Sequence, residues 1–174
     1  RTDNDVFNTT LVVLEPYIAQ IQVPSLVSRT LPGTTGTIEV DLLNLGSRNA
    51  DWTLSYDDTS LPDGWSFSPV DVSDLTQNLQ RDVTTTVEFA FSVPADALGS
   101  DDAQIPLTLT LDQDTSISTN VILPLEVQRT RGLSLQGPSG LSETSGQGRP
   151  GDSANVWLLV ENLGNAQETN TDLS

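Results

Sequence analysis

The sequence contains no cysteine, histidine or methionine, and all seven of its basic residues are arginine, with no lysine. Without cysteine the chain can form neither an internal disulfide nor a thiolate metal site. Without histidine it has no imidazole ligand and no histidine base to activate a nucleophile. No apolar run reaches the length of a membrane-spanning helix, so the sequence predicts no membrane span in this segment.

The charge of the chain is strongly acidic. The chain has seventeen aspartates and seven glutamates but only seven arginines, which gives a net charge of -17. This balance disfavours nucleic acid and anionic membranes as partners, because both bind through lysine and arginine. It favours solubility and the association of cations. Charged residues make up only 18% of the chain, which is below the saturated acidic surface of an extreme salt-adapted enzyme.

One stretch of sequence occurs twice. Residues 32–46 read PGTTGTIEVDLLNLG, and residues 150–164 read PGDSANVWLLVENLG, 118 residues later and without a gap. A repeat at a fixed spacing is typical of chains built from several copies of one structural unit. The sequence therefore predicts one domain followed by the beginning of another of the same kind. Residues 44–46, Asn-Leu-Gly, predict a turn whose glycine or asparagine can adopt a positive φ angle.

Apolar residues alternate with polar ones along most of the chain. Residues 37–43 place Ile38, Val40 and Leu42 on one face, which is the period of a half-buried strand. About seven such short strands, joined by glycine, proline and aspartate turns, lie between residues 17 and 128, and no stretch has a helical period. The predicted fold class is all-β, an antiparallel sandwich or barrel.

The repeat and the strand pattern also predict domain boundaries. Residues 17–128 are expected to form a complete domain, and residues 129–174 the N-terminal part of a second. Residues 1–16 resemble residues 115–125, a polar lead followed by an apolar run, and are expected to be the closing strand of a preceding domain. The alternative is a free N-terminal strand that pairs with another subunit. Half a sandwich exposes an apolar face and an open edge, so we expect more of the chain, or another chain, to cover it.

The order of motifs resembles that of a known domain family. The patterns are PG-x-x-G-T-x-x-V-x-L-x-NLG, then LPDGWSFSP, then V-x-F-x-F-x-VPADALG, carried by Pro32, Gly33, Asn44, Gly46, residues 61–69 and residues 93–99. They resemble the NEW-type immunoglobulin-like domains found beside α-galactosidases and in large archaeal and bacterial cell-surface proteins. The resemblance implies tandem immunoglobulin-like antiparallel β-sandwiches of about seven strands, acting as spacers or accessory modules without a shared active site. The link at residues 70–81 is longer than this pattern leads us to expect.

Acidic pairs are the candidate metal ligands. Asp101 and Asp102 are adjacent, and Asp112 and Asp114 lie at a strand end where a loop carbonyl could join them. Calcium binds six to eight such hard oxygen atoms, although none of these residues falls in a spaced calcium-binding loop. The two hypotheses are a calcium site and a solvated acidic turn. Charge runs usually face water, which favours the second. No cofactor is expected to be required.

Two further residues have a candidate role outside the core. Trp65 follows a glycine turn and is expected to be exposed, where it could stack on a sugar; the alternative is packing in the core or turn. Asn8 begins Asn8-Thr9-Thr10, a sequence for N-glycosylation that has meaning only on an exported protein; the alternative is chance occurrence. Trp52, in contrast, is expected to anchor the core of a sandwich.

The glutamates fall mostly on outward strand faces and form no catalytic pocket, so no enzymatic activity is predicted. The favoured function is a structural segment of an extracellular repeat protein, in a surface layer, filament, sheath or stalk at the cell surface. Its expected partners are neighbouring immunoglobulin-like domains of the same chain or copies of itself. The alternative is an accessory carbohydrate-binding or spacer module of a secreted glycosidase.

Overall fold

The structure is a computed structural model that describes residues 15–137, 148–153 and 157–167. One short 3-10 helix, Val72–Leu75, is the only helix in these residues. The rest of the regular structure in the described ranges consists of eleven strands: β1 Ala19–Gln22, β2 Ser28–Thr30, β3 Thr35–Asn44, β4 Ala50–Tyr56, β5 Ser66–Pro69, β6 Thr76–Leu79, β7 Thr84–Ser92, β8 Asp102–Leu111, β9 Ser118–Val127, β10 Leu133–Gln136 and β11 Leu159–Asn162.

The first nine strands form two sheets that pack face to face. One has the order β1-β3-β7-β5 and the other the order β2-β9-β8-β4-β6. Every pair of neighbouring strands is antiparallel except β2 and β9, which run parallel from Ser28 opposite Leu125 to Thr30 opposite Val127. The predicted all-β architecture is therefore confirmed, and the parallel pair is a feature that the sequence pattern did not predict.

Strand alternation determines which side chains enter the core. Ile38, Val40 and Leu42 of β3 are buried, while Glu39 between them is exposed. Every second residue of β8 is buried in the same way, because successive side chains of a strand point to opposite faces. Trp52 is 1% exposed and anchors the core, as predicted. The inward faces of the two sheets thus supply the apolar burial that stabilises the sandwich.

An aromatic cluster joins the two sheets. Phe67 and Phe89, on neighbouring strands of the first sheet, stack with their ring centroids 4.8 Å apart. Tyr56, on β4 of the second sheet, meets both rings edge-on at 5.5 and 5.8 Å. Offset-stacked and edge-to-face contacts are the favoured aromatic geometries, and they add to the stabilisation that burial alone gives.

The segment at residues 70–81 is not a long link. Asp71 caps the 3-10 helix by accepting a hydrogen bond from the Ser73 amide at 2.8 Å. The chain then forms β6, which pairs with β4 from Thr76 opposite Thr53 to Leu79 opposite Ala50. The sequence of β6 is mostly polar, which is common at a sheet edge and hides the strand from a search for apolar alternation. With β2, it brings the sandwich to nine strands rather than about seven.

Strands β10 and β11 pair in the same way as β1 and β3. Asn162, at the end of β11, lies opposite Leu133, just as Asn44 at the end of β3 lies opposite Ala19. The pairing continues in the same register for four residues in both cases. The sequence repeat is therefore also a repeat of strand pairing. Whether residues 129–174 form part of a full second domain stays a prediction, and residues 1–14 lie outside the described part of the chain.

Candidate functional site

The Asn-Leu-Gly turn after β3 is built around a buried amide. Asn44 is 0% exposed. Its Nδ2 donates hydrogen bonds to the carbonyl oxygens of Arg48 and Leu79, each at 2.9 Å, and its Oδ1 accepts one from the Gly46 amide at 2.9 Å. One side chain thus closes its own turn and ties it to β6. Such full satisfaction is what a buried polar group requires.

The same turn packs against the segment that enters β1. The amides of Leu45 and Gly46 both donate to the carbonyl oxygen of Ile18, at 2.8 and 3.1 Å. A Cβ atom on Gly46 would collide with the carbonyl oxygen of Pro16. The predicted turn is present, but neither Asn44 nor Gly46 has a positive φ angle. Glycine is required here by the close approach of two backbones instead.

The turn after β11 repeats this geometry. Asn162 Nδ2 donates to the Ala166 carbonyl at 2.7 Å, and the Gly164 amide donates to Asn162 Oδ1 at 2.9 Å. The Leu163 amide donates to the Gly132 carbonyl at 2.8 Å, which matches the bond from Leu45 to Ile18. Asn162 differs in being exposed. The two turns share a hydrogen-bond pattern as well as a sequence.

Asn165, one residue beyond the second turn, joins it to the first sandwich. Its Nδ2 donates to the Gln128 carbonyl at 2.9 Å, and its Oδ1 accepts from the Thr130 amide at 2.7 Å. Its carbonyl oxygen accepts from the Gly99 amide at 2.8 Å. Residues 128–130 connect β9 to β10, and Gly99 lies in the loop between β7 and β8. We call Gly99, residues 128–130 and Asn165 the joint.

The joint borders an open cleft between the first sandwich and the second turn. Leu31 and Leu98 line it from the sandwich, and Leu163 lines it from the turn. All three are exposed, with Leu163 at 62%. Asp96 is the one ionisable side chain among the described residues of this lining. A shallow cleft with a single carboxylate does not present the convergent polar groups of an active site.

The predicted ligands Asp101 and Asp102 lie at the start of β8. Asp101 Oδ2 accepts a hydrogen bond from the Leu98 amide at 2.8 Å, which holds the loop before β8. Asp102 is exposed, and both residues line a small recess with Glu126. The Glu126 carboxylate, however, is paired with Arg29 at 2.8 Å. Of these three carboxylates, that of Asp101 is hydrogen-bonded within a turn and that of Glu126 is paired with the Arg29 guanidinium.

The predicted ligands Asp112 and Asp114 hold the turn between β8 and β9. Asp112 Oδ1 accepts from the Thr53 hydroxyl at 2.8 Å. Asp114 Oδ1 accepts from the Ser116 amide at 3.1 Å and from its hydroxyl at 2.6 Å. No group of three acidic side chains that could hold a metal ion occurs in the described part of the chain. Calcium binding at these four aspartates stays a prediction.

Three aspartates share one turn geometry that the sequence reasoning missed. In each, one carboxylate oxygen accepts from both the hydroxyl and the amide two residues on: Asp57 with Thr59, Asp71 with Ser73, and Asp114 with Ser116. The hydroxyl bond, and after it the amide bond, lowers the pKa of each carboxyl below its ordinary value. The Asp-x-Ser/Thr spacing is the signal that could have identified these turns.

The expectation that Trp65 is exposed is wrong. Trp65 is 9% exposed and belongs to the hydrophobic core. It lies one residue before β5 and shares a face with Phe67, which is also buried, so the alternation of the strand carries it inward. A buried ring offers no face on which a sugar could stack. Asn8, the predicted glycosylation site, lies outside the described residues.

The chain has matches among solved structures at low sequence identity. No family model and no curated protein matches it. PapD-like domain 7 of human CEP192 is 16% identical with a TM-score of 0.43, and the match covers 74% of this chain and 95% of that one. The secreted serine protease VesC from Vibrio cholerae is 16% identical with a TM-score of 0.44, and the match covers 70% of this chain and 24% of VesC. Domains 4 and 5 of the S-layer protein SbsC are 13% identical with a TM-score of 0.37, and the match covers 64% of this chain and 53% of that one.

Each of these matches has a TM-score below 0.5, and the predicted all-β fold class is confirmed instead by the strands and sheets of the described residues. The chain spans about a quarter of VesC, so that protein's activity is not carried over by the likeness. No helix in the described ranges is long and apolar enough to cross a membrane. The NEW type and the tandem arrangement stay predictions.

Replacing Asn44 by aspartate tests the buried amide. At neutral pH the carboxylate would face the two carbonyl oxygens that Nδ2 now contacts, and a buried charge without a donor is costly. We expect Asn44→Asp to lower the free energy of unfolding by about 3 kcal/mol or more, measured by urea unfolding with tryptophan fluorescence. Asn49→Asp makes the same change at an exposed turn residue that needs only its acceptor oxygen, and should stay within about 0.5 kcal/mol. Equal midpoints for both variants would contradict this role of Asn44.

Removing one hydroxyl tests the acidic turns. Ser116→Ala deletes the larger cause of the lowered pKa of Asp114, so that pKa should rise toward its ordinary value. The pKa of Asp114 is lower in the folded state than in the unfolded state. The hydrogen bond therefore stabilises the fold at pH values above the unfolded-state pKa, and this stabilisation is lost as the pH falls through the folded-state pKa. Carbon-13 NMR titration of the carboxyls measures the shift. Ser118→Ala, at the first residue of β9, should leave the titration of Asp114 unchanged; a parallel shift in both variants would overturn the assignment.

Proposed function

We propose that the chain is a non-catalytic structural segment of an extracellular protein built from tandem immunoglobulin-like domains. Within that class, the motif order favours the NEW type. The setting is a surface layer, filament, sheath or stalk, and the partners are neighbouring domains of the same chain or copies of itself.

The repeated turn is the observation that carries this proposal. Asn44 and Asn162 end equivalent strands, in the same pairing register and with the same bond to the glycine two residues on. These equivalences support a second unit of the same kind that begins a few residues after β9. Short links between like domains set a fixed spacing, which is what a structural array needs and an isolated binding module does not.

The topology suits a domain that transmits tension. Strand β2 lies near the point where the chain enters the sandwich, and β9 leads out of it toward β10. Because β2 and β9 are parallel neighbours, pulling on the two ends of the domain moves them in opposite directions along their length. The bonds between them are then loaded together rather than one at a time. The Gln128 amide, which donates to the Thr30 carbonyl at 2.8 Å, extends this pairing beyond β9.

The surface chemistry also supports a structural role. The net charge of -17 keeps copies of the sandwich from aggregating through electrostatic repulsion. The edge strands β1, β2, β5 and β6 are three or four residues long, and short edges give little template for unwanted pairing. Calcium bridging between acidic surfaces belongs to this proposal as an addition that no part of the fold requires.

Imaging the native polypeptide tests the proposal. Antibodies raised against residues 15–137 should label the surface of intact cells that make the protein. The purified polypeptide should appear in negative-stain electron microscopy as a string of domains of similar size. Antibodies against a cytoplasmic protein provide the control for cell integrity.

Two results would contradict the structural proposal. If the antibodies label cells only after permeabilisation, the proposed extracellular location is contradicted. A native polypeptide that carries a glycosidase domain would instead favour the alternative, an accessory carbohydrate-binding or spacer module. Peptide mass mapping of the same purified sample distinguishes the alternative from the array.

A further inference from the structure

We infer that Asn165 and Gly99 form a lock that holds the unit beginning at β10 in a fixed orientation on the preceding sandwich. The inference rests on the proposed tandem arrangement, and it identifies the partner surface of each side. The sandwich contributes the loop that contains Gly99, and the next unit contributes the residue after its Asn-Leu-Gly turn.

Asn165 bridges its own turn, the segment that connects β9 to β10, and the loop that contains Gly99. Its side chain is hydrogen-bonded to the Gln128 carbonyl and to the Thr130 amide, on either side of Arg129, and so contacts the connecting segment at two backbone groups. Its carbonyl oxygen then receives the amide of Gly99 from a loop of the sandwich. A side-chain amide has one acceptor and one donor group, and here the two face a backbone N–H and a backbone C=O. That match fixes the position of the turn relative to the connecting segment.

Gly99 lies too close to Asn165 and Arg129 to carry a side chain. A Cβ atom at this position would lie 2.7 Å from Asn165 Oδ1 and 2.9 Å from Arg129 Cα. Gly99 does not have a positive φ angle, so its backbone conformation is open to other residues. The need for glycine therefore comes from the neighbouring unit and not from the loop itself. A requirement for glycine that is set by the neighbouring unit is expected of a residue at a contact surface between two units.

The two repeats differ at the residue that follows the Asn-Leu-Gly turn. Position 47 follows the first turn as position 165 follows the second, and it holds serine. There the contacts to the entering segment are made by backbone, from the Ser47 amide to the Glu15 carbonyl at 3.1 Å. The hydrogen-bond pattern of the turn asparagine recurs in both copies, whereas a side chain that bridges to the connecting segment is found in the second. Asn165 is thus an addition to the turn that the turn itself does not need.

Amide hydrogen exchange of the full chain tests the lock. In Asn165→Ala the carbonyl oxygen that Gly99 bonds to is still present, because it belongs to the backbone. If the side chain holds the joint closed, the Gly99 amide should nevertheless exchange roughly tenfold faster, together with that of Thr130. The Gly164 amide, bonded to Asn162 within the second turn, should keep its rate, which shows that the turn remains folded.

Gly99→Ala tests the same joint by changing the residue that the first sandwich contributes. The added methyl group should separate the two surfaces and accelerate exchange at Thr130 about as much as Asn165→Ala does. Gln167→Ala is the matched control, because Gln167 contributes its carbonyl oxygen to Arg129 and the substitution leaves that oxygen in place. Its exchange rates at Gly99 and Thr130 should equal those of the parent chain.

Three outcomes would overturn the inference. The first is rapid exchange of the Gly99 amide in the parent chain, at the rate of an unprotected group. The second is unchanged exchange at Gly99 in Asn165→Ala. The third is loss of protection at Gly164 together with Gly99, which would make Asn165 a residue needed for the turn to fold. None of these results bears on surface labelling of cells, so failure of the lock and failure of the proposed function are distinguishable.

Discussion

The buried amide of Asn44 is the constraint on which the rest of the sandwich depends. It lies at the end of β3, and its three hydrogen bonds reach the Gly46 amide in the turn that follows, the Arg48 carbonyl two residues before β4, and the Leu79 carbonyl at the end of β6. Leaving such a group without partners inside a protein costs several kcal/mol by transfer measurements. The side chain therefore selects one path for the chain between the two sheets. The turn it shapes then packs on the Ile18 carbonyl and fixes the entry to β1.

In the tandem arrangement that we propose, this constraint also explains how one domain joins the next. The turn contacts the segment that enters β1 of its own domain, so each copy would form a contact surface next to the place where the previous copy ends. In the second copy, that surface meets residues 128–130 and the loop containing Gly99. The link between units is short and hydrogen-bonded, unlike the flexible glycine- and serine-rich linkers that let domains move independently. Orientation between units then follows from local geometry rather than from a large interface.

The sequence predicted the features that depend on local pattern. The alternation of Ile38, Val40 and Leu42 identified β3 and its buried face, because strand side chains have a period of two. The polar β6 was missed, since its pairing with β4 is set by tertiary structure and not by its own composition. Trp65 was placed at the surface because a glycine turn precedes it, whereas the alternation of β5 carries it into the core. The bond between Asn165 and Gly99 joins residues far apart in the chain, and no local signal marks it.

Native-state exchange of the Gly46 amide tests the central role of the Asn44 turn most directly. This amide donates to both Asn44 Oδ1 and the Ile18 carbonyl, at 2.9 and 3.1 Å. If the turn is the constraint that organises the sandwich, Gly46 should exchange only when the whole domain unfolds, with the same free energy as the core amide of Val87 on β7. Rapid exchange of Gly46 through local opening, while Val87 stays protected, would show that the sandwich holds together without the turn and would contradict that role.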